Sequence, residues 1–225
     1  MPNGRKIITV ALCTIALPCA GIVSAPLPAQ AAPITATASG SAGSIDVTAD
    51  GQHVQVDTIA PCTADGPVHA TTPGGQYGNV GVFGNSETSC ARQADGVAIG
   101  QASGRRFKTT LLRAYGGPVI TVRTFVARCA TTGTGSDGYI EIGEVTGITV
   151  PANIPANYTI TIPGVAPETR PMARVVLNEL ITPRPPDGSL TTNTVHIKLF
   201  PEGGPAEGDI VLGTAKCDPF GQKRG

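Results

Sequence analysis

The chain has 225 residues, with 16 Lys and Arg against 16 Asp and Glu, 29 Gly, 20 Pro and no Trp. Charged residues at 14% and aromatics at 4% exclude a coiled coil, a charged helical bundle and a highly charged disordered chain. So much glycine and proline fits an all-β domain with many turns, and the length suffices to bury one ordinary core.

The first element is a leader. Arg5 and Lys6 precede an apolar run from Ile7 to Ala16, and Ala29-Gln30-Ala31 offers small residues where a signal peptidase cuts. The spacing predicts a cleaved signal peptide over residues 1–31. Cys19 follows Pro18, which does not suit a lipobox, so Cys13 and Cys19 are read as incidental to the leader. No later segment has the ~18 consecutive apolar residues of a membrane span.

Cleavage would leave 14 basic and 16 acidic groups, a formal charge of −2, which argues against nucleic acid as a partner. Four cysteines remain: Cys62, Cys90, Cys129 and Cys217. An even count in an exported chain predicts two disulfides, with three possible connectivities. The expected pairs are Cys62–Cys90, across a Gly/Pro/Ser/Thr-rich stretch with little apolar content, and Cys129–Cys217, at the ends of two strand-like runs. No Cys-x-x-Cys occurs and no His lies near a Cys, so the spacing favours no metal.

Residues 32–43 are small and polar and are expected to be a flexible or edge segment ahead of a domain over 44–217. Asp50-Gly51 between Ser44–Thr48 and His53–Ala60 predicts a hairpin. Pro61–Gly78 reads as loop, Asn79–Phe83 as a short strand, and the segment carrying Cys90 as a polar loop. Gly96–Ala102, Phe107–Tyr115 and Val119–Cys129 read as three strands, the first two joined by Ser103-Gly104. Thr131–Gly138 reads as a turn and Tyr139–Val145 as a strand. Tyr158–Ile162 alternates cleanly, and Pro163–Pro171 reads as a linker. Met172–Ile181 fits either a short helix or a strand. Val195, Ile197 and Leu199 alternate with His196 and Lys198, and Asp209–Cys217 closes the domain. About ten strands with frequent turns predict a single antiparallel β-sandwich, or a barrel-like domain, followed by a tail over 218–225.

The last third carries Val175-Val176-Leu177-Asn178-Glu179, then Leu190-Thr191-Thr192-Asn193-Thr194-Val195-His196-Ile197, then Asp209-Ile210-Val211-Leu212-Gly213-Thr214-Ala215-Lys216-Cys217. This order resembles the choice-of-anchor P family of exported actinobacterial proteins. The resemblance implies an envelope or extracellular domain and supplies no catalytic residues. Only Asp218–Gly225 follow Cys217, with no sorting motif or apolar tail, so secretion with release, or with loose retention at the wall through non-covalent contacts, is expected.

Residues that could carry chemistry are few. Gly133-Thr134-Gly135-Ser136-Asp137-Gly138 matches a dinucleotide fingerprint, but a β-patterned segment follows where a helix is required, so it reads as a turn. Asp137, Glu141, Glu144, Glu168 and Glu179 could supply paired carboxylates, and each fits a solvated sheet charge better. Asp137 with Glu141, or Glu202, Glu207 and Asp209, lack the spacing of a Ca²⁺ loop. His53, His69 and His196 come without a nucleophile elbow. Tyr77 is the expected exposed ring.

One segment stands out in charge. Arg105, Arg106, Lys108, Arg113, Arg123 and Arg128 lie between Gly96 and Ser136 with no acid among them. Neutralisation by the acidic later strands is the plain expectation. The alternative is a basic strand face, Arg105, Arg106 and Lys108 with Tyr115, that binds an anionic or carbohydrate wall polymer. The sequence therefore predicts a secreted, non-enzymatic domain with a structural, adhesive or interaction role and no cofactor. Its partner would be a wall polymer or another surface protein. A hydrolase or an enzyme inhibitor stands behind these readings.

Overall fold

Two antiparallel sheets face each other in a computed structural model that describes residues 35–221 except Glu168. The expected leader and the end of the tail lie outside the described residues. The first sheet runs in the order β12 (Tyr158–Ile162), β13 (Ala173–Ile181), β14 (Leu190–Leu199), β15 (Ala206–Asp218), β1 (Thr37–Ala49) and β2 (Gln52–Ile59), with β3 (Cys62–Thr63) also on β1. The second sheet is built on β8 (Ala98–Thr109) and β9 (Ile120–Thr131). Beside β9 lie β10 (Ser136–Ile142) and β11 (Val145–Thr146). Beside β8 lie β6 (Gly81–Phe83), followed by β5 (Gly75–Tyr77), and β7 (Ser86–Arg92), followed by β4 (His69–Thr72). The sheets do not close on each other, so the fold is a sandwich and not a barrel.

Both disulfides form as the sequence predicts, and each joins one sheet to the other. Cys62–Cys90 links β3 to β7, and Cys129–Cys217 links β9 to β15, with Cα–Cα separations of 5.7 and 5.9 Å. Facing sheets ordinarily stand ~10 Å apart. The interior near these bridges is accordingly small: Ala38, Ala98, Ala127 and Ala215 are buried beside Cys129 and Cys217. A β-carbon at Gly40 would sit 2.9 Å from the Gln101 carbonyl, and one at Gly100 would sit 2.5 Å from the Ser39 carbonyl. Only glycine allows that approach. The other half of the sandwich holds the large side chains, among them Phe83, Phe107, Leu112, Ile120, Leu177, Ile197 and Ile210.

Between the two halves the strands change face. In β14 the buried set moves from Leu190, Thr192 and Thr194 to Val195, Ile197 and Leu199. In β15 it moves from Ile210 and Leu212 to Ala215 and Cys217, and in β1 from Ala38, Gly40 and Ala42 to Ile45, Val47 and Ala49. Pairing of β14 with β15 stays in step across the change, with Val195 opposite Leu212 and Asn193 opposite Thr214, whereas β1 and β2 shift register between Gly43 and Ile45. Positive φ values at Asn178 (53°) and Gly213 (61°) turn their strands over without an inserted residue. The second sheet does the same at Arg106 (φ 60°). There β8 also exchanges partners, leaving β7 at Gly104 and meeting β6 at Lys108. Phe125 fills the space under this line, and a β-carbon would come to 2.6 Å from its ring at Gly213 and 2.5 Å at Gly104.

Several elements depart from their expected form. Thr37 to Gly43, expected to be flexible or at an edge, form the first half of β1, bonded between β15 and β3. Small residues there reflect close packing and not mobility. The two strands expected around Ser103-Gly104 are one strand, β8, because Gly104 faces the Phe125 ring and is not a turn. Residues 111–115 form a 3₁₀ turn with Leu111 and Leu112 buried, ended by left-handed Gly116. Pro61–Gly78 holds β3, β4 and β5, and Cys90 lies in β7. Met172–Ile181 resolves as a strand, since Ala173, Val175 and Leu177 are buried at a period of two.

Two outcomes follow from this packing. Replacing both Cys129 and Cys217 with Ala should cost about 4–5 kcal/mol in urea denaturation, and replacing Cys62 and Cys90 about 3–4 kcal/mol, with no titratable thiol in the oxidised wild-type domain. Gly104→Val should destabilise by roughly 1–3 kcal/mol, because the added carbons meet Phe125.

Candidate functional site

The face change in the first sheet gathers polar side chains on its outer surface. Because alternation breaks at Thr194, Asn193 and His196 both point outward although they are three residues apart; Glu179, just past Asn178, joins them. His196 Nδ1 lies 3.1 Å from Glu179 Oε1, and its Nε2 lies 2.7 Å from Asp209 Oδ1. Asn193 Nδ2 donates to Glu179 Oε2 at 2.6 Å, and Thr214 donates to Asn193 Oδ1 at 2.8 Å. Val176 and Val211 flank His196 in register. The imidazole thus ties β13, β14 and β15 together.

Charge follows geometry. Hydrogen bonds to Asp209 and then to Glu179 outweigh burial and push His196 up to about 9, so the ring is cationic at neutral pH. Burial opposes ionisation of Glu179, but hydrogen bonds from His196 and Asn193 prevail and hold its carboxyl below the usual value. The Glu179 side chain is 13% exposed, so it departs from the solvated sheet charge that the sequence suggests. Sequence reasoning placed His196 on a wet face and had no means of seeing the two carboxylates that meet it. The only signal was the left-handed Asn178 beside Glu179.

On the second sheet the corresponding line exposes cations. Arg105, Arg106 and Lys108 are all exposed on β8, with Arg123 exposed on β9. Arg123 Nη1 pairs with Glu144 at 3.3 Å. Neutralisation by later acidic strands is met there, and among the described residues no ion pair joins Arg105, Arg106, Lys108, Arg113 or Arg128 to an acid. Thr121, in register with Lys108, bonds Thr146 through their hydroxyls at 2.6 Å.

Tyr115 is placed differently. Its ring packs edge-on against Phe200, with centroids 5.0 Å apart, and burial and then the Asp50 carboxylate push its hydroxyl up. It supports the core below the 3₁₀ turn and offers no open ring face beside the arginines. Tyr77 is half-buried against Phe83 at 5.6 Å. The exposed tyrosine among the described residues is Tyr139, 55% accessible, opposite Arg128, with its hydroxyl on Glu141 at 3.1 Å.

Of the other acids, Asp137 and Glu141 are exposed on β10 and Asp46 bonds His53 at 2.8 Å. Glu168 lies outside the described residues. No group of three His, Cys, Asp or Glu among the described residues has a metal-binding arrangement. Of the Gly133–Gly138 motif, only Gly133 to Gly135 lie in the turn, and Ser136 to Gly138 already pair with β9 as the start of β10, so the expected turn is shorter and the helix that dinucleotide binding needs is absent here. No helix among the described residues is long and apolar enough to cross a membrane. One surface cleft, about 390 Å³, is mainly apolar and lies between Ile160–Val165 and Gly147–Thr149; another, about 370 Å³, has a mixed lining of Gln76, Asn79, Val82, Lys108 and Thr110.

The His196 cluster has a pH signature. The folded value lies above the free value of 6.5, so its stabilisation is complete below pH 6.5 and disappears as pH rises through about 9. Glu179 has the opposite sign, and its share is lost as pH falls through the carboxylate range. Urea denaturation should show about 3 kcal/mol less stability at pH 10 than at pH 6 from this group, and His196→Gln should flatten that difference. An unchanged slope in the variant would exclude the bridge as its cause.

Comparisons with protein-family models, with curated proteins and with solved structures give no match for this chain.

Proposed function

We propose that this chain is an exported, non-enzymatic interaction domain of the cell envelope that holds an anionic polymer against the outer face of its second sheet. The observation that carries the reading is the exposed group Arg105, Arg106 and Lys108, which meets no acid among the described residues. Unneutralised cations on a rigid sheet attract polyanions at long range and release them as salt screens the charge. Two disulfides favour an oxidising compartment and so support export, as does the leader-like segment over residues 1–31. The resemblance of the last third to the choice-of-anchor P family points the same way.

A structural or adhesive role has its own support. Both disulfides cross from sheet to sheet, and His196 ties three strands on the opposite face. Such a domain resists being pulled apart.

Immobilised polyglycerol phosphate tests the first reading. The wild-type domain should be retained at low ionic strength and released as salt rises. Arg105→Gln combined with Arg106→Gln should elute at markedly lower salt, with thermal stability close to wild type because both side chains are exposed. Absence of retention at ~20 mM salt, where screening is weak, would overturn the proposal.

A further inference from the structure

The cleft next to the cations is small, concave and lined by both polar and apolar groups, unlike the open sheet. Gln76 on β5 stands opposite Val82 on β6, and Val82 stands opposite Lys108 on β8. These three side chains therefore lie side by side on one face, spanning two strand spacings, about 10 Å. Asn79, in the turn between β5 and β6, and Thr110, just past β8, complete the walls of an open cleft of about 370 Å³. That is the lower end of the range for small-ligand sites.

Each wall offers a distinct group. Val82 is 40% exposed, which leaves an apolar strip between the two polar sides. Gln76 and Asn79 present side-chain amides, each able to donate and accept. The Gln76 amide donates to the Gly78 carbonyl at 3.0 Å, which orients its oxygen as a free acceptor. Thr110 adds a hydroxyl. Lys108 supplies an ammonium with no acidic partner among the described residues, and Arg106 lies two positions along the same strand.

A ligand that satisfies all of these must have an apolar face for Val82, hydroxyls for the amides and one anionic group for Lys108. A flat aromatic anion would not match both the donor and the acceptor of each amide. A bare phosphate would accept from the amide N–H groups but would leave Val82 and the amide oxygens without a partner. We infer that this cleft is a recognition site for a single pyranose bearing one anionic group, a uronate or a sugar phosphate. The inference rests on the polymer-binding reading and makes the cleft the place where one repeating unit of the polymer is read. Arg105 and Arg106 then hold the neighbouring chain by charge alone, while Gln76, Asn79 and Lys108 select for sugar.

Titration of the folded domain with glucuronate, glucose 6-phosphate, glucose and inorganic phosphate tests this, read by calorimetry and by amide shifts in NMR spectra. One of the two anionic sugars should bind, shifting the amides of Gly78, Gly81 and Thr110, and which one binds identifies the anionic group. Glucose and inorganic phosphate should each bind at least about tenfold more weakly, since each lacks one charge-assisted or neutral set of contacts. Lys108→Gln should abolish discrimination between the anionic sugar and glucose. Gln76→Ala with Asn79→Ala should weaken the anionic sugar about tenfold yet leave salt-dependent retention on polyglycerol phosphate in place, since no charge is lost. Binding of inorganic phosphate as tight as that of the sugars would overturn the inference. So would an unaltered affinity in the amide variant, or shifts confined to other strands. If the wild-type domain is not retained on polyglycerol phosphate at all, the failure belongs to the polymer reading and not to the cleft.

Discussion

Two sulfur bridges hold the sheets at 5.7 and 5.9 Å between Cα atoms, and much of the remaining architecture accommodates that distance. Beside the bridges the facing residues are mostly Gly and Ala, because at Gly40 and Gly100 even a β-carbon would meet the opposing backbone, and bulkier Leu190 and Thr192 are buried only toward the β14 side. The bulk needed for a core is displaced to the other half, where Ile, Leu and Phe collect. An interior of this kind explains how a chain with so few aromatics and so much glycine buries a core. The bridges restrict the unfolded chain and offset the modest apolar burial of the alanine-lined half.

A sandwich that is narrow at one end and full at the other has to change its packing partway, and the strands do so by turning over. Left-handed residues at Asn178, Gly213 and Arg106 place the change in both sheets, with Phe125 between them. Turning over disturbs the outward faces as much as the inward ones. Side chains that regular alternation would separate come together outside. On one sheet the result is a half-buried carboxylate–imidazole–carboxylate bridge; on the other it is a group of exposed cations beside a cleft of mixed lining. The interior constraint thereby sets the positions of the exterior chemistry.

The two faces behave differently because their charges do. On the first sheet His196 meets two acids and is satisfied within the fold, so it contributes to stability across neutral pH. On the second, Arg123 finds Glu144, while among the described residues no ion pair joins Arg105, Arg106 or Lys108 on β8 to an acid, and the proposed polymer binding rests on that difference. Tyr115 serves neither role, since its ring is spent on Phe200.

Much of the fold was legible in the sequence through period-two alternation, the Asp50-Gly51 turn and four cysteines whose local contexts indicated their pairing. Those signals are local, and strand type and disulfide chemistry depend on local composition. The basic run Arg105, Arg106 and Lys108 was legible for the same reason. What escaped was everything that depends on which strands meet. Ala- and Gly-rich residues 37–43 look flexible in sequence, yet they are buried strand, because an opposing backbone supplies the packing their side chains lack. Glu179, His196 and Asp209 are 17 and 13 residues apart along the chain, and only strand register brings them within hydrogen-bonding distance. The sequence by itself determined an antiparallel all-β domain, a sandwich or barrel-like, with two bridges, and the structure decided for the sandwich. Tertiary structure alone decided where its faces turn over, since that follows from the separation of the sheets, a quantity no single strand encodes.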